Sequence, residues 1–340
     1  MDTMSFVWVG NTVFEETVLP LRKKGQIIHK MMYPVTKIIS VTSYDRKVRY
    51  EEGRDFLIIN GDFVIPESTT MNIMPYSVYN FPEKPEGLPI PCKYGGYLFY
   101  TEGTAIVDKQ YRITYVHEPS DFYLPKKQSE RLPRFKQKLK NGEPVTVAFF
   151  GDSISVGCNS SKILGIEPFI DTWAVQVSGK IEEKYGSKVK MINHSQGGTT
   201  CGWGAENAGP MFSGDKLDLA IINFGMNDGA GLSVDKYIEN LRSIANTFKK
   251  ECFDCEIMFV APSQPNPLAD DAQYHRDRAP HLYPLSDEFG LDAAVAPMNV
   301  FHNKILERKT YADMTANNIN HPNDFLAGLY GQIVFYTLEP

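Results

Sequence analysis

The chain has 340 residues, of which 42% are apolar and 22% charged, a composition typical of a folded globular protein of one or two domains. Its 35 basic and 41 acidic residues give a formal charge of −6, and the positive charges form no long run. Nucleic acids and anionic membranes are therefore not expected as partners, since both recruit clustered Lys and Arg. The 5 cysteines, an odd number, do not suggest a disulfide framework.

The N-terminal stretch MDTMSFVWVGNTVFEE has neither the basic region nor the continuous apolar region of a signal peptide. Later segments are also too short or too polar to span a membrane. We therefore expect a cytoplasmic protein, unless a leader has been removed from this sequence. The sequence leaves homo-oligomer formation open.

Residues 1–125 contain short segments rich in Val, Ile, Tyr and Phe that are separated by turn residues. These segments are VTKIISVTSY (35–44), DFLIING (55–61), DFVIP (62–66), YGGYLFY (94–100) and YRITYVHE (111–118). Short strands at such intervals predict an N-terminal β-sandwich domain, jelly-roll-like in form. The Asn-Gly dipeptide at 60–61 predicts a tight hairpin between the second and third segments.

The polar stretch 126–143 predicts a linker, either solvated coil or helix. Residues 144–340 alternate strand and helix patterns, which predicts an α/β domain with a parallel sheet covered on both faces. Its strand patterns are PVTVAFF (144–150), KVKMINHS (188–195), LDLAIINFG (217–225) and EIMFVAP (256–262). Helical patterns cover 171–186 and 234–252. A polar insertion at 270–288 is long enough to form a lid, and a plain solvated loop is the alternative.

Small or polar residues follow three of these strands, and a fourth polar block precedes a helical pattern near the C-terminus. The blocks are Gly151-Asp152-Ser153, Asn193-His194-Ser195-Gln196-Gly197-Gly198, Gly225-Met226-Asn227-Asp228 and Asn320-His321-Pro322-Asn323-Asp324. Ligands of parallel sheets bind at the carboxyl ends of the strands. The blocks therefore predict a functional site at this edge.

In this order, the four blocks resemble those of the SGNH, or GDSL-type, hydrolases, and the resemblance covers residues 144 to about 340. It implies a three-layer α/β/α fold and a serine esterase that needs no metal or cofactor. Ser153 would be the nucleophile and His321 the base that takes its proton. The backbone N–H groups of Ser153 and Gly198 and the side-chain amide of Asn227 would stabilise the oxyanion.

The family pattern places an aspartate three residues before the histidine, where this chain has Asn318. An amide cannot stabilise an imidazolium by charge. Three interpretations remain open. The site is a Ser–His dyad oriented by Asn318 or a backbone carbonyl, or another acid (Asp313 or Asp324) reaches the ring, or the protein is catalytically weak.

Two further residues are candidate substrate contacts. Asp152 either positions the serine turn or caps the following helix. Trp203 either stacks on a sugar ring or packs in the core.

A β-rich part ahead of an SGNH part resembles the layout of carbohydrate esterases that act on O-acetylated plant polysaccharides or their oligosaccharides. The implied function is removal of acetyl or other short acyl groups from a small-molecule or oligosaccharide ester, through an acyl-enzyme. The alternatives are a lipase-like or thioesterase activity on longer acyl chains, and a glycan-binding protein with a decayed site.

Overall fold

The computed structural model describes residues 4–86, 90–229, 231–269 and 278–340. Within them the strands are β1 (Thr12–Val18), β2 (Leu21–Arg22), β3 (Ile27–His29), β4 (Val35–Ser43), β5 (Leu57–Ile59), β6 (Asp62–Ile65), β7 (Met74–Pro75), β8 (Asn80–Phe81), β9 (Ile90–Pro91), β10 (Tyr97–Leu98), β11 (Tyr111–His117), β12 (Val145–Gly151), β13 (Val189–Asn193), β14 (Leu219–Asn223), β15 (Glu256–Val260) and β16 (Ala293–Ala296). The helices are α1 (Tyr76–Tyr79), α2 (Pro133–Lys140), α3 (Ser153–Val156), α4 (Ser161–Leu164), α5 (Trp173–Tyr185), α6 (Cys201–Phe212), α7 (Val234–Glu251), α8 (Leu282–Glu288), α9 (Met298–Leu306) and α10 (Asp324–Leu338).

The second half of the chain is built on a five-stranded parallel sheet with the order β13-β12-β14-β15-β16. Strands β14, β15 and β16 are buried along their whole length, which explains why their sequences are mainly apolar. The predicted α/β class with a parallel sheet is confirmed. Strand β16 was not predicted, because its sequence AAVA lacks the large β-branched and aromatic residues that mark a strand.

Helices pack on both faces of this sheet. Successive side chains of a strand point to opposite faces, and those of β12 accordingly divide between two hydrophobic clusters. Val147 and Phe149 belong to the cluster that contains side chains of α5 and α10. Ala148 and Phe150 belong to the cluster that contains side chains of α6 and α7.

In the first half, the described strands form small separate sheets rather than one large pair. Strands β1-β11-β4, β3-β6-β5 and β8-β10-β9 are three-stranded, and β2-β7 is two-stranded. The predicted β-sandwich is therefore not confirmed. The predicted hairpin is confirmed, because β5 and β6 pair antiparallel around Asn60 and Gly61, whose φ angles are +54° and +82°.

The two halves share a buried core. Side chains of β1, β4 and β11 belong to the same hydrophobic cluster as those of α5 and α10. An ion pair also joins the halves: Lys309 Nζ lies 2.7 Å from Glu16 Oε1, and both side chains are 0% exposed. The division at 126–143 remains a prediction, and that stretch includes α2, whose first N–H groups, from Arg134 and Phe135, donate to the Glu256 carboxylate.

Part of the predicted lid, 270–277, lies outside the described residues, and the remainder contains α8. Within the parts of the chain that the structure describes, none of the helices is long and apolar enough to cross a membrane.

Candidate active site

Ser153 lies at an abrupt turn from β12 into α3. The strand ends at Gly151, and Asp152 caps α3 by accepting a hydrogen bond from the N–H of Ile154 at 3.0 Å. A Cβ on Gly151 would lie 2.2 Å from the carbonyl oxygen of Asn223. Only glycine fits where the strand turns, and the hydroxyl is therefore presented at the carboxyl edge of the sheet.

Trp173 also stabilises the turn. This side chain is 1% exposed, and its Nε1–H donates to the carbonyl oxygen of Ile154 at 2.7 Å. Gly157, with φ of +85°, ends the short helix. The residue after Ser153 is thus fixed by hydrogen bonds at both its N–H and its carbonyl.

His321 lies on the loop before α10, and that loop is organised by Asn317. The Asn317 Oδ1 atom accepts hydrogen bonds from the N–H groups of Ile319, Asn320 and His321 at 3.0, 3.0 and 2.9 Å. His321 Nε2 lies 2.8 Å from Ser153 Oγ. The structure therefore brings together the two residues that the sequence assigned as nucleophile and base.

The other ring nitrogen, Nδ1, faces two acceptors. Asn159 Oδ1 lies 2.5 Å from it and Glu102 Oε2 lies 3.1 Å from it. The amide of Asn159 is oriented by its own Nδ2, which donates to the carbonyl oxygen of Glu102 at 3.0 Å. Because both partners accept, Nδ1 carries the hydrogen, and the lone pair of Nε2 faces the hydroxyl of Ser153.

The three residues that the sequence offered as alternatives for orienting the ring have other partners in the structure. The φ of Asn318 is +72°, its Nδ2 donates to the carbonyl oxygen of Phe99 at 2.9 Å, and its Oδ1 accepts from Asn266 at 3.0 Å. The side chain of Asn318 therefore binds Phe99 and Asn266 rather than the imidazole of His321.

Asp313 and Asp324 are also committed to other partners. Asp313 Oδ1 accepts from the N–H of Leu19 at 2.7 Å, and its carboxylate lies 3.8 Å from Lys309 Nζ. Asp324 pairs with Arg112 and accepts from the N–H of Ser161 at 2.8 Å. Within the described parts of the chain, the hydrogen-bond partners of Nδ1 are Asn159 and Glu102.

Sequence reasoning missed both of these partners. Asn159 follows Ser153 by six residues and has a φ of +63°, which asparagine tolerates better than most residues. Glu102 comes from the first half of the chain, 219 residues before His321. The available signal was indirect: Asn318 departs from the pattern that the sequence resembles, which directs attention to partners of the histidine elsewhere in the chain.

The loop that carries Gly198, one of the expected oxyanion donors, passes beside Ser153. A Cβ on Gly197 would be 3.8 Å from the Cβ of Ser153. Gly198 has a φ of +75°, and a Cβ there would meet no atom within 4 Å. Asn227 Nδ2 donates to the carbonyl oxygen of Thr199 at 3.0 Å, which ties this amide to the same loop.

Two carboxyl groups near the histidine have opposite pKa shifts. Burial, opposed by the hydrogen bond from Ile154 and reinforced by Asp228, raises the pKa of Asp152 to about 7. Partial burial raises the pKa of Glu102, but hydrogen bonds from His321 and Tyr100 outweigh it, so that pKa lies below the ordinary glutamate value. Glu102 is therefore ionised at neutral pH.

The two candidate substrate contacts differ in their exposure. The side chain of Asp152 is 0% exposed and serves as the helix cap. Trp203 is half-buried in α6, with its ring centroid 5.7 Å from that of Phe150. Among the described residues, no group of three or more His, Cys, Asp or Glu side chains is arranged to hold a metal ion.

No protein-family model matches the chain, and neither does any curated protein. Among solved structures, the chain is similar to a two-domain esterase active on acetylated mannans, co-crystallised with mannopentaose, at 23% identity and a TM-score of 0.48 over 61% of this chain. The match spans 52% of that protein's length. It is also similar to Axe2, an acetylxylan esterase from Geobacillus stearothermophilus, at 17% identity and a TM-score of 0.49, over 58% of this chain and 96% of that one. At such identities and TM-scores, the activity has to be argued from the site itself.

Proposed function

We propose that the chain is a carboxylic ester hydrolase of the SGNH type that uses Ser153 as nucleophile and His321 as general base. The observation that carries the proposal is the 2.8 Å contact between Ser153 Oγ and His321 Nε2, in a ring whose other nitrogen donates to oxygen acceptors. This arrangement activates a hydroxyl at neutral pH, because the base that must remove its proton is already aligned.

In the proposed reaction, Ser153 Oγ attacks the carbonyl carbon of the ester while its proton moves to His321 Nε2. The carbonyl π electrons become the lone pair of an oxyanion, which accepts hydrogen bonds from the N–H groups of Ser153 and Gly198 and from Asn227. When the intermediate collapses, the bond to the alcohol oxygen breaks and Nε2 returns the proton to that oxygen. Water then cleaves the acyl-enzyme by the same route and releases the carboxylic acid.

The narrower proposal is that the acyl group is short, acetyl first, and that the alcohol is a carbohydrate hydroxyl. Ser153 and His321 are only 4% and 8% exposed, and acetyl, as the smallest common acyl group, is therefore the first to test. The carbohydrate part rests on the resemblance of the sequence layout to carbohydrate esterases. Acetylated manno- and xylo-oligosaccharides, the substrate class named for the similar structures, are the first compounds to test.

The test compares the unaltered protein with Ser153→Ala and with the control Ser77→Ala, whose serine is exposed in α1. Hydrolysis of p-nitrophenyl acetate and release of acetate from the oligosaccharides should fall by about 10³-fold or more in Ser153→Ala only. A fluorophosphonate probe should label the unaltered and control proteins and spare Ser153→Ala.

Other results would favour the alternatives. Neither hydrolysis nor labelling of the unaltered protein would indicate a decayed site. Faster hydrolysis of octanoyl than of acetyl esters would indicate a lipase-like activity. An unchanged rate in Ser153→Ala would reject the assignment of the nucleophile.

A further inference from the structure

The inference concerns the carboxylate at position 102, and it rests on the proposed function. We infer that Glu102, carried by the first half of the chain, is the acid that positions His321 and stabilises its protonated form. The first half would then complete the active site.

The imidazole has one charged and one neutral partner at Nδ1. Asn159, at 2.5 Å, fixes the orientation of the ring and the position of its hydrogen, but its amide carries no charge. Glu102 Oε2, at 3.1 Å, is the carboxylate. When Nε2 takes the serine proton, the ring becomes a cation, and a negative charge at this distance favours that form more strongly than a neutral amide does.

The Glu102 carboxylate is held in place by donors other than the histidine. The hydroxyl of Tyr100 donates to Oε1, and Asn317 Nδ2 lies 3.3 Å from the same oxygen. Asn317 also binds the backbone N–H of His321. One side chain therefore sets the relative positions of the carboxylate and the histidine loop.

The backbone of the segment that carries Glu102 is fixed to both catalytic loops. Asn318 donates to the carbonyl oxygen of Phe99, and Asn159 donates to that of Glu102 itself. The residue at the family's aspartate position thus anchors the segment that brings in a different acid. An amide can do this and an ionised aspartate cannot, since a carboxylate has no hydrogen to donate to a carbonyl.

The pH dependence of the reaction gives the discriminating measurement. Among the described residues, the titratable groups on the elements around the ring are Glu102 and Tyr100 in the first half, and Asp152 and Cys158 on either side of α3. Asp324, at the start of α10, is paired with Arg112. Of these, Glu102 is the acid in direct contact with Nδ1. Removing its charge makes protonation of the ring less favourable and moves the acidic limb of the kcat/KM profile to lower pH.

The experiment measures kcat, KM, the pH profile of p-nitrophenyl acetate hydrolysis and the melting temperature for Glu102→Gln, Glu102→Asp and the control Glu83→Gln, an exposed residue of the same half. Glu102→Gln should lower kcat roughly 10- to 100-fold. This loss is smaller than the loss expected when a histidine has a single orienting residue, because Asn159 still holds the ring of His321. Its acidic limb should move down by about one pH unit. KM and the melting temperature should stay near those of the control.

Glu102→Asp keeps the charge at a greater distance and should have an intermediate kcat with a pH profile close to that of the unaltered protein. Two results would overturn the inference: activity of Glu102→Gln within twofold of the control at every pH, or equal losses in Gln and Asp variants with an unshifted profile, which indicates a purely structural role. Failure of the proposed function would look different, because the unaltered protein would then neither hydrolyse the ester nor take up the fluorophosphonate, and the inference would fall with it.

Discussion

Arg112 and Asp324 form an ion pair in which each side chain is 2% exposed. Arg112 belongs to β11 in the first half, and Asp324 is the first residue of α10, three residues after His321. The second carboxylate oxygen of Asp324 accepts from the N–H of Ser161, two residues after Asn159. This pair therefore connects the first half of the chain to both segments that surround the histidine.

Replacing Arg112 with Met should strongly destabilise the protein. The substitution leaves the Asp324 carboxylate buried without its cation, and breaking such pairs costs about 3–5 kcal/mol of unfolding free energy. Urea denaturation measures the loss. The matched control is Lys162→Met, which removes the exposed Lys162–Asp171 pair and should leave the denaturation midpoint unchanged. Equal midpoints for the two variants would contradict the prediction.

Gly151→Ala should disrupt the nucleophile turn. The added methyl would lie 2.2 Å from the Asn223 carbonyl oxygen and 2.4 Å from Ser155 Oγ, so the end of β12 must move. We expect a loss of roughly 1–3 kcal/mol or more in unfolding free energy, together with a lower kcat. Gly179→Ala in α5 is the control: its Cβ meets nothing within 4 Å, and it should stabilise the protein by up to about 1 kcal/mol. A fully active, stable Gly151→Ala protein would show that the turn is not this tight.

Asp152→Asn should become more stable than the unaltered protein as the pH rises. The carboxyl of Asp152 has a pKa of about 7 in the folded chain and about 3.9 in the unfolded one. Between these values the folded state holds a proton that the unfolded state has lost, so stability falls with rising pH, by roughly 4 kcal/mol in total. Asparagine can still cap the helix, and because it does not ionise, its contribution to stability does not fall as the pH rises.

The measurement for Asp152 is the difference in unfolding free energy between Asp152→Asn and the unaltered protein at several pH values. The difference should grow from pH 4 to pH 7 and stay constant above. Asp121→Asn, at an exposed position, should follow the unaltered protein throughout. A difference that is independent of pH would refute the assignment of a raised pKa.

Asn318→Asp, which recreates the family's sequence pattern, should lower activity rather than raise it. The side chain is 0% exposed, and aspartate cannot donate to the Phe99 carbonyl oxygen. We expect a loss of about 1–3 kcal/mol in unfolding free energy and a reduced kcat, because the segment carrying Glu102 loses an anchor. Thermal melts and ester hydrolysis test this against Asn246→Asp, an exposed change in α7. Higher activity in Asn318→Asp would mean that the new carboxylate reaches the imidazole after all.

The parallel sheet and the Ser153–His321 pair could be predicted because their signals are local. An apolar strand ending in Gly151, and a histidine just before a helix, each carry their pattern within about ten residues. Asn318 departs from the pattern that the sequence resembles. Its actual partners, Phe99 and Asn266, are distant in sequence, so no local pattern identifies them.

The role of Glu102 and the strand pairing of the first half could not be predicted, because both depend on contacts between residues that are distant in sequence. Glu102 lies in a polar loop whose sequence does not distinguish it from other surface glutamates. The β-rich segments of the first half were recognised from their composition, but composition does not fix which strands pair. The described strands form several small sheets, and the predicted sandwich is not confirmed.

The buried contact between Glu16 and Lys309 has a practical consequence for experiments on the first half of the chain. Excising that half would remove Glu16, the carboxylate nearest to the Lys309 ammonium, and leave Asp313 at 3.8 Å as its counter-charge. It would also uncover the hydrophobic cluster that the two halves share, so we expect a shortened protein to fold poorly for reasons unrelated to chemistry. Loss of activity after truncation would therefore say nothing about catalysis. Single substitutions in the intact polypeptide are the informative approach, and the two halves should not be exchanged between homologues as independent modules.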